Sequence, residues 1–312
     1  MSDQRFTLQD VRRTYKSRDA WWTVFLTDPI AGPLVVVTAN RTRITPNQLT
    51  VGALVLGVVS AALFWQAGTW ALVVGALLFQ LSFVLDCMDG KIARLKGTGS
   101  ILGSWLDYIF DRIRVFVCAL ALFGGQYRET GRPVFLVLAV VVVFLDMLRY
   151  MNAMQITKVR SGLRARVVEA CERSGVDPER YLGMSSVVDD GDDDVPRVLE
   201  EETFVTLGQG RPVQSLASEH LQSSVRSRFG WFFTVRQSLA RLRVRPHVFS
   251  GIEFQMFVFV VGPLTTLILP VTVVSAVLLV LFELAIIYKL VLSVRDLDRL
   301  LDRIRSEGTQ PA

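Results

Sequence analysis

The stretch WALVVGALLFQLSFVLDCMDG, residues 70–90, decides the fold. Residues 70–83 form an apolar run, and Asp86 and Asp89 close the segment. About 20 apolar residues cross a bilayer as a helix, because a helix satisfies its own backbone hydrogen bonds where no water can. Ionisable groups at membrane depth are costly and usually line a polar site. The same stretch thus points to a membrane protein and to the place where its chemistry sits.

Five further spans flank it, at 49–68, 101–124, 133–156, 249–269 and 271–293. Counting all six along the chain, the fourth contains the run Val134–Leu145, and Pro270 reads as a tight turn between the last two. The third opens on Ser104-Trp-Leu-Asp-Tyr-Ile-Phe-Asp, a half-span that hydropathy alone would miss. The expected fold is all-α: a six-transmembrane-helix bundle with an N-terminal interfacial helix and a cytoplasmic insert between helices 4 and 5. The segments are 1–48 (N-terminal, cytoplasmic or interfacial), 49–156 (helices 1–4), 157–246 (insert) and 247–312 (helices 5 and 6 with a charged tail).

Charge placement sets the expected sidedness. The net charge is +5, and the basic residues flank the spans. Arg41 and Arg43 precede the first, Lys91, Arg94 and Lys96 join the second to the third, Lys158 and Arg160 follow the fourth, and Arg295, Arg299 and Arg303 follow the sixth. Opposite loops hold only Arg128 and Arg132. Cytoplasmic loops carry the Lys and Arg excess, so an integral multi-pass protein with termini and site on the cytoplasmic side is expected. No aromatic-interleaved basic groove accompanies the charge, which argues against nucleic acid. The first 40 residues lack a cleavable signal pattern. Cys87, Cys118 and Cys171 are scattered and read as small apolar residues without a metal motif.

Outside the spans the signals are weaker. Asp19-Ala-Trp-Trp-Thr-Val-Phe-Leu suits an amphipathic helix, either in the interface with Trp21 and Trp22 at headgroup depth or packed on the body. The insert holds a short helical pattern at Ser161–Ser174, an acidic run at residues 189–194 without EF-hand spacing, and a basic pattern at Ser224–Arg245 with Arg236, Arg241, Arg243 and Arg245.

The chemistry is concentrated in four aspartates. Asp86 and Asp89 stand at i and i+3, Asp107 and Asp111 at i and i+4, so each pair shares a helix face. A short loop makes the two helices antiparallel neighbours, which brings four carboxylates toward one point. Such a cluster repels itself unless cations sit among it, and hard oxygen ligands suit Mg²⁺ or Mn²⁺. Two divalent ions about 4 Å apart would clamp the attacking and leaving oxygens of a phosphoryl-type displacement. Gly90, Gly97, Gly99 and Gly103 let backbone approach a bulky ligand, and Arg94 offers a fork for a diphosphate.

The pattern Asp86-x2-Asp89-Gly90-x2-Ala93-Arg94-x8-Gly103-x3-Asp107-x3-Asp111 resembles the motif of the CDP-alcohol phosphatidyltransferases, with all eight positions in register. The six-span layout and Ile44-Thr-Pro-Asn-Gln-Leu-Thr resemble that family too; the 157–246 insert does not. The resemblance implies metal ligation by Asp86, Asp89, Asp107 and Asp111, with Asp111 also the general base. It implies nucleotide contacts from Gly90, Ala93, Arg94 and Gly103, with Asn47 and Thr50 as further contacts. The expected reaction moves a substituted phosphate from a CDP-alcohol to a hydroxyl acceptor in the bilayer, releasing CMP in phospholipid synthesis. The donor reads as CDP-diacylglycerol, against a soluble CDP-alcohol that gives its headgroup to a lipid hydroxyl. Arg114 is expected either to pair with a carboxylate or to bind an acceptor phosphate. Arg149 is expected either to pair with Asp146 or to reach the acceptor. A homodimer stays open. A transporter would distribute carboxylates across the membrane depth, and a scaffold would work through the insert; clustered aspartates without an internal repeat favour the enzyme.

Overall fold

The computed structural model describes residues 5–175, 177–178, 243–245 and 249–308. The acidic run at 189–194, His220, Arg236, Arg241 and His247 lie outside the described residues.

Helix ends follow local chemistry. Helix α1 (Leu8–Arg13) starts at Thr7, which forms a capping box with Asp10. The Thr7 hydroxyl and N–H both donate to the Asp10 carboxylate and hold it below its ordinary titration range. Helix α2 runs Thr23–Arg41, with a π-helical turn at Thr23–Thr27. Helix α3 (Pro46–Gln66) has Pro46 in its first turn and a Thr45–Gln48 capping box. Helix α4 (Thr69–Lys96) ends at Gly97, whose φ of 63° is the left-handed conformation that glycine adopts freely. Helix α5 (Ile101–Thr130) opens on Ser100, which accepts from Gly103 N–H at 3.0 Å. Helix α6 is Val134–Ser174, α7 is Gly251–Thr265 with a π-helical turn at Phe257–Val261, and α8 is Ile268–Gly308. No strand occurs among the described residues, only an isolated bridge between Asp19 and Val244.

By length and composition, five described helices can cross a membrane: α2, α3, α4, α6 and α8. Several such helices in one chain are the mark of an integral multi-pass membrane protein. The set differs from the expected six. Helix α2 falls where an interfacial helix was expected, and its mean hydropathy of 1.3 is the lowest of the five. Trp22 is buried and donates to Gln80 on α4 at 3.0 Å, so this segment packs on the body. Helix α5 is long enough but too charged to qualify, and α7 is shorter than the expected span. Pro270 is not the turn. The reversal comes at Thr266, at φ 58°, and Pro270 sits in the first turn of α8, where its missing N–H costs nothing. The expected short helix at 161–174 is the continuation of α6.

The chain divides into two compact units, Met1–Leu148 with Leu239–Val280, and Arg149–Ser238 with Leu281–Ala312. In the first, α3 packs against α4 and α5. Phe79 stands 4.8 Å from Phe259 between ring centroids, and Phe64 6.4 Å from it. A second apolar cluster joins Val11, Ala31, Val35, Leu49, Val84, Met88 and Ile92. Buried Asp28 on α2 pairs with Lys91 on α4 at 3.0 Å. Tyr15 lies between Lys91 and Arg243, 5.4 and 4.7 Å from its ring centroid, and burial pushes its hydroxyl pKa up. In the second unit Leu163, Val167 and Cys171 pack with Leu297 and Ile304, and Arg149 pairs with Glu283 at 3.4 Å.

Candidate active site

Gly97 and Ser100 turn α4 into α5 within a few residues. The last turns of α4 therefore lie beside the first turns of α5, and this brings the aspartates together. Asp86, Asp89 and Asp107 each offer a carboxylate oxygen within 4.8 Å of the other two. Asp89 is buried and accepts from the Thr50 hydroxyl of α3 at 2.5 Å. Asp107 Oδ1 is buried and has no hydrogen-bond donor. A buried carboxylate oxygen left without a partner is costly, and a hard divalent cation among the three carboxylates would complete it. The donor set therefore fits Mg²⁺ or Mn²⁺.

Asp111, one turn beyond Asp107 on α5, lies beside Asp86 and adds a fourth carboxylate to the cluster. Its Oδ1 accepts from Arg114 Nη2, and Arg112 Nη2 lies 3.9 Å from its Oδ2. Arg114 Nη1 lies 3.5 Å from Asp86 Oδ1, so one guanidinium joins Asp111 to the triad.

An open cleft adjoins these carboxylates. Asp89 and Asp107 form its acidic wall. Asn47, Thr50, Gly90, Ala93 and Gly103, all expected around a nucleotide, form much of the rest. Close approach explains two glycines. A Cβ on Gly103 would stand 2.9 Å from Ser100 Oγ and 3.0 Å from Asn47 Oδ1; one on Gly90 would stand 3.3 Å from Arg94 Nη1. Arg94 does not line the cleft, since its Nε donates to the Thr14 carbonyl at 2.8 Å.

Residues 43–170 match the family model described as CDP-alcohol phosphatidyltransferase. This stretch is a CDP-alcohol phosphatidyltransferase domain. The domain contains α3, α4, α5 and most of α6, with every residue of the carboxylate cluster. The chain is 37% identical over 82 residues to the bifunctional IPC transferase and DIPP synthase of Aquifex aeolicus, covering 26% of this chain and 18% of that protein. It is 40% identical over 70 residues to the Thermococcus kodakarensis protein of the same description, covering 22% and 15%. It is 34% identical over 90 residues to the phosphatidylinositol phosphate synthase of Corynebacterium glutamicum, covering 28% and 37%. The chain thus matches well under two thirds of the length of these relatives.

The secondary candidates have other partners. Asp146 accepts from Arg112 on one oxygen and from Gln255 Nε2 at 2.7 Å on the other. Arg149 belongs to the second unit, where it is buried against Glu283 and lies 5.1 Å from the Phe282 ring. Glu253 caps α7 through Ser250, which donates both its N–H and its hydroxyl. The sequence reading missed several residues. Thr98, Ser100 and Ser104 line the cleft; Ser100 carries an N-cap signal before an apolar run that would have revealed it. Gly57 and Ser82 contact Arg114, and no local signal marks either.

Proposed function

We propose that the chain transfers a substituted phosphate from a CDP-alcohol to a hydroxyl acceptor and releases CMP, using divalent cations held by Asp86, Asp89, Asp107 and Asp111. The observation that carries this reading is the pairing of a carboxylate triad with an open, glycine-walled cleft in which Asp89 and Asp107 belong to both. We favour CDP-diacylglycerol as donor and a phosphorylated polar alcohol such as inositol phosphate as acceptor. The printed name of the Corynebacterium relative, a phosphatidylinositol phosphate synthase, supports that choice. The soluble CDP-alcohol arrangement is the second reading, because the motif is common to both.

Two bound cations would neutralise the diphosphate and polarise the attacking and leaving oxygens. The chain's own residues do the rest. Asn47, Thr50, Gly90, Ala93 and Gly103 hold the cytidine diphosphate, and Arg94 reaches its phosphates by leaving Thr14. Asp111 takes the acceptor's proton. The freed oxygen forms a bond to the β-phosphorus, the bond from that phosphorus to the bridging oxygen breaks, and CMP leaves with the electron pair. Asp111 then returns its proton to solvent. Positioning and electrostatics supply most of the rate.

In this reading the chain crosses the bilayer six times, through α3, α4, α5, α6, α7 and α8, with α2 at the interface and the carboxylates at the cytoplasmic rim. The test is to incubate purified protein and Mg²⁺ with a panel of CDP-alcohols and acceptors and to measure CMP. The expected result is release that requires CDP-diacylglycerol, an acceptor and Mg²⁺ together. Absence of CMP with every pair would overturn the reading.

A further inference from the structure

Arg114 is 2% exposed and does not line the cleft, yet it touches the carboxylates from behind. Along α5 its Nη2 donates to Asp111. Across to α4 its Nη1 lies 3.1 Å from Ser82 Oγ and 3.5 Å from Asp86 Oδ1. The Phe79 ring covers the guanidinium at 5.8 Å. On α3 the chain makes room for the stem. A Cβ on Gly57 would stand 2.6 Å from Arg114 Cγ and 2.8 Å from Cδ, far inside van der Waals contact. Three helices thus build a seat for one cation.

The charge pattern says what the seat is for. Four carboxylates on two neighbouring helices repel one another, and the triad alone cannot fix the fourth. A guanidinium stays protonated and presents a rigid fork, so it can hold two carboxylates at once where an ammonium holds a point.

We propose that Arg114, seated on Gly57, is a positioning residue that fixes Asp111 and Asp86 and serves as the resident counter-ion of the carboxylate cluster. The role of Asp111 in this inference rests on the function proposed above. The counter-ion role does not, and can be read without turnover.

The experiment compares full-length wild type, Gly57→Ala, Arg114→Ala and the double variant in detergent, each assayed for CMP release and for melting temperature with Mg²⁺ and with EDTA. Arg114→Ala should lower kcat about 10–100-fold, the usual cost of losing a group that orients a metal ligand, with little change in donor KM. Gly57→Ala should lower kcat in the same manner. The double variant should be no worse than Arg114→Ala, since the new methyl then has no stem to displace. EDTA should lower the melting temperature of Arg114→Ala more than that of wild type, because the bound ion then carries the whole neutralisation. Multiplying kcat losses in the double variant, an unchanged kcat in Arg114→Ala, or equal EDTA shifts would overturn the inference. If Arg114→Ala does not fold, Gly57→Ala, Gly57→Ser and Gly57→Val retain every charge. Their kcat should then fall with side-chain size at constant donor KM, and a flat series would overturn the inference. An inactive wild type would count against the proposed function, while the EDTA shifts would still decide the counter-ion role.

Discussion

Two clusters of buried charge meet on α5, one through Arg112 and one through Asp107, and they are built on opposite plans. Asp146 gives both its oxygens to protein donors, one to Arg112 and one to Gln255. Asp107 leaves Oδ1 buried with no donor, beside two more carboxylates and an open cleft. In the first cluster the acid is fully partnered, although Arg112 also lies 3.9 Å from Asp111. The second has surplus negative charge and a route in for a ligand. Buried ions in the first plan hold a fold together; buried ions in the second are retained at a cost to stability because something binds them.

The comparison can be broken by mutating each side. The largest effect is expected for Asp107→Asn and Asp111→Asn. Loss of a general base costs about 10²–10⁴ in rate, so Asp111→Asn should fall in that range, and Asp107→Asn should lose CMP release at least as fully, both with melting temperatures near wild type. Next comes Asp146→Ala, which takes from Arg112 its hydrogen-bonded carboxylate and leaves Asp111 at 3.9 Å; removing one partner of a buried pair costs about 3–5 kcal/mol, so denaturant unfolding should show a large loss of stability. If Asp107→Asn unfolds the protein and Asp146→Ala only lowers turnover, the two plans are assigned the wrong way round. Thr50→Val sharpens the contrast, since it removes the one hydroxyl that orients Asp89. A loss of about 10-fold in kcat or in apparent Mg²⁺ affinity is expected, visible in a Mg²⁺ titration of activity. The smallest effect belongs to Gly103→Ala. Its new methyl presses on Asn47 and Ser100 at the cleft wall, and donor KM should rise a few-fold with kcat little changed.

How far the sequence revealed these features depended on whether they were local. Asp86, Asp89 and Asp107 converge because of two helical spacings and one short connection, all visible in the chain. Helix α2 was obscured as a candidate span by Asp28, Pro29 and Pro33. The Asp28 charge is answered by Lys91 of α4, a tertiary pairing that no local window contains. Helix α6 reads as ending near Ile156, where apolar composition stops, although it continues through Gly162 and ends only before Gly175. Leu163, Val167 and Cys171 recur every fourth residue there and pack with α8, which gives the polar extension a reason to stay helical. The Asp111–Arg114 contact spans one helical turn and could be anticipated. The reach of Arg114 to Asp86 and Ser82 and the need for Gly57 beneath it depend on helix packing, which sequence spacing does not fix.

The central claim is that Asp86, Asp89 and Asp107 hold a divalent cation, and Mn²⁺ binding to the purified protein followed by electron paramagnetic resonance tests it most directly. The account predicts a bound Mn²⁺ population that Mg²⁺ displaces, that is lost in Asp89→Asn and Asp107→Asn, and that survives in Asp146→Asn. Equal Mn²⁺ binding by wild type and the two triad variants would contradict it.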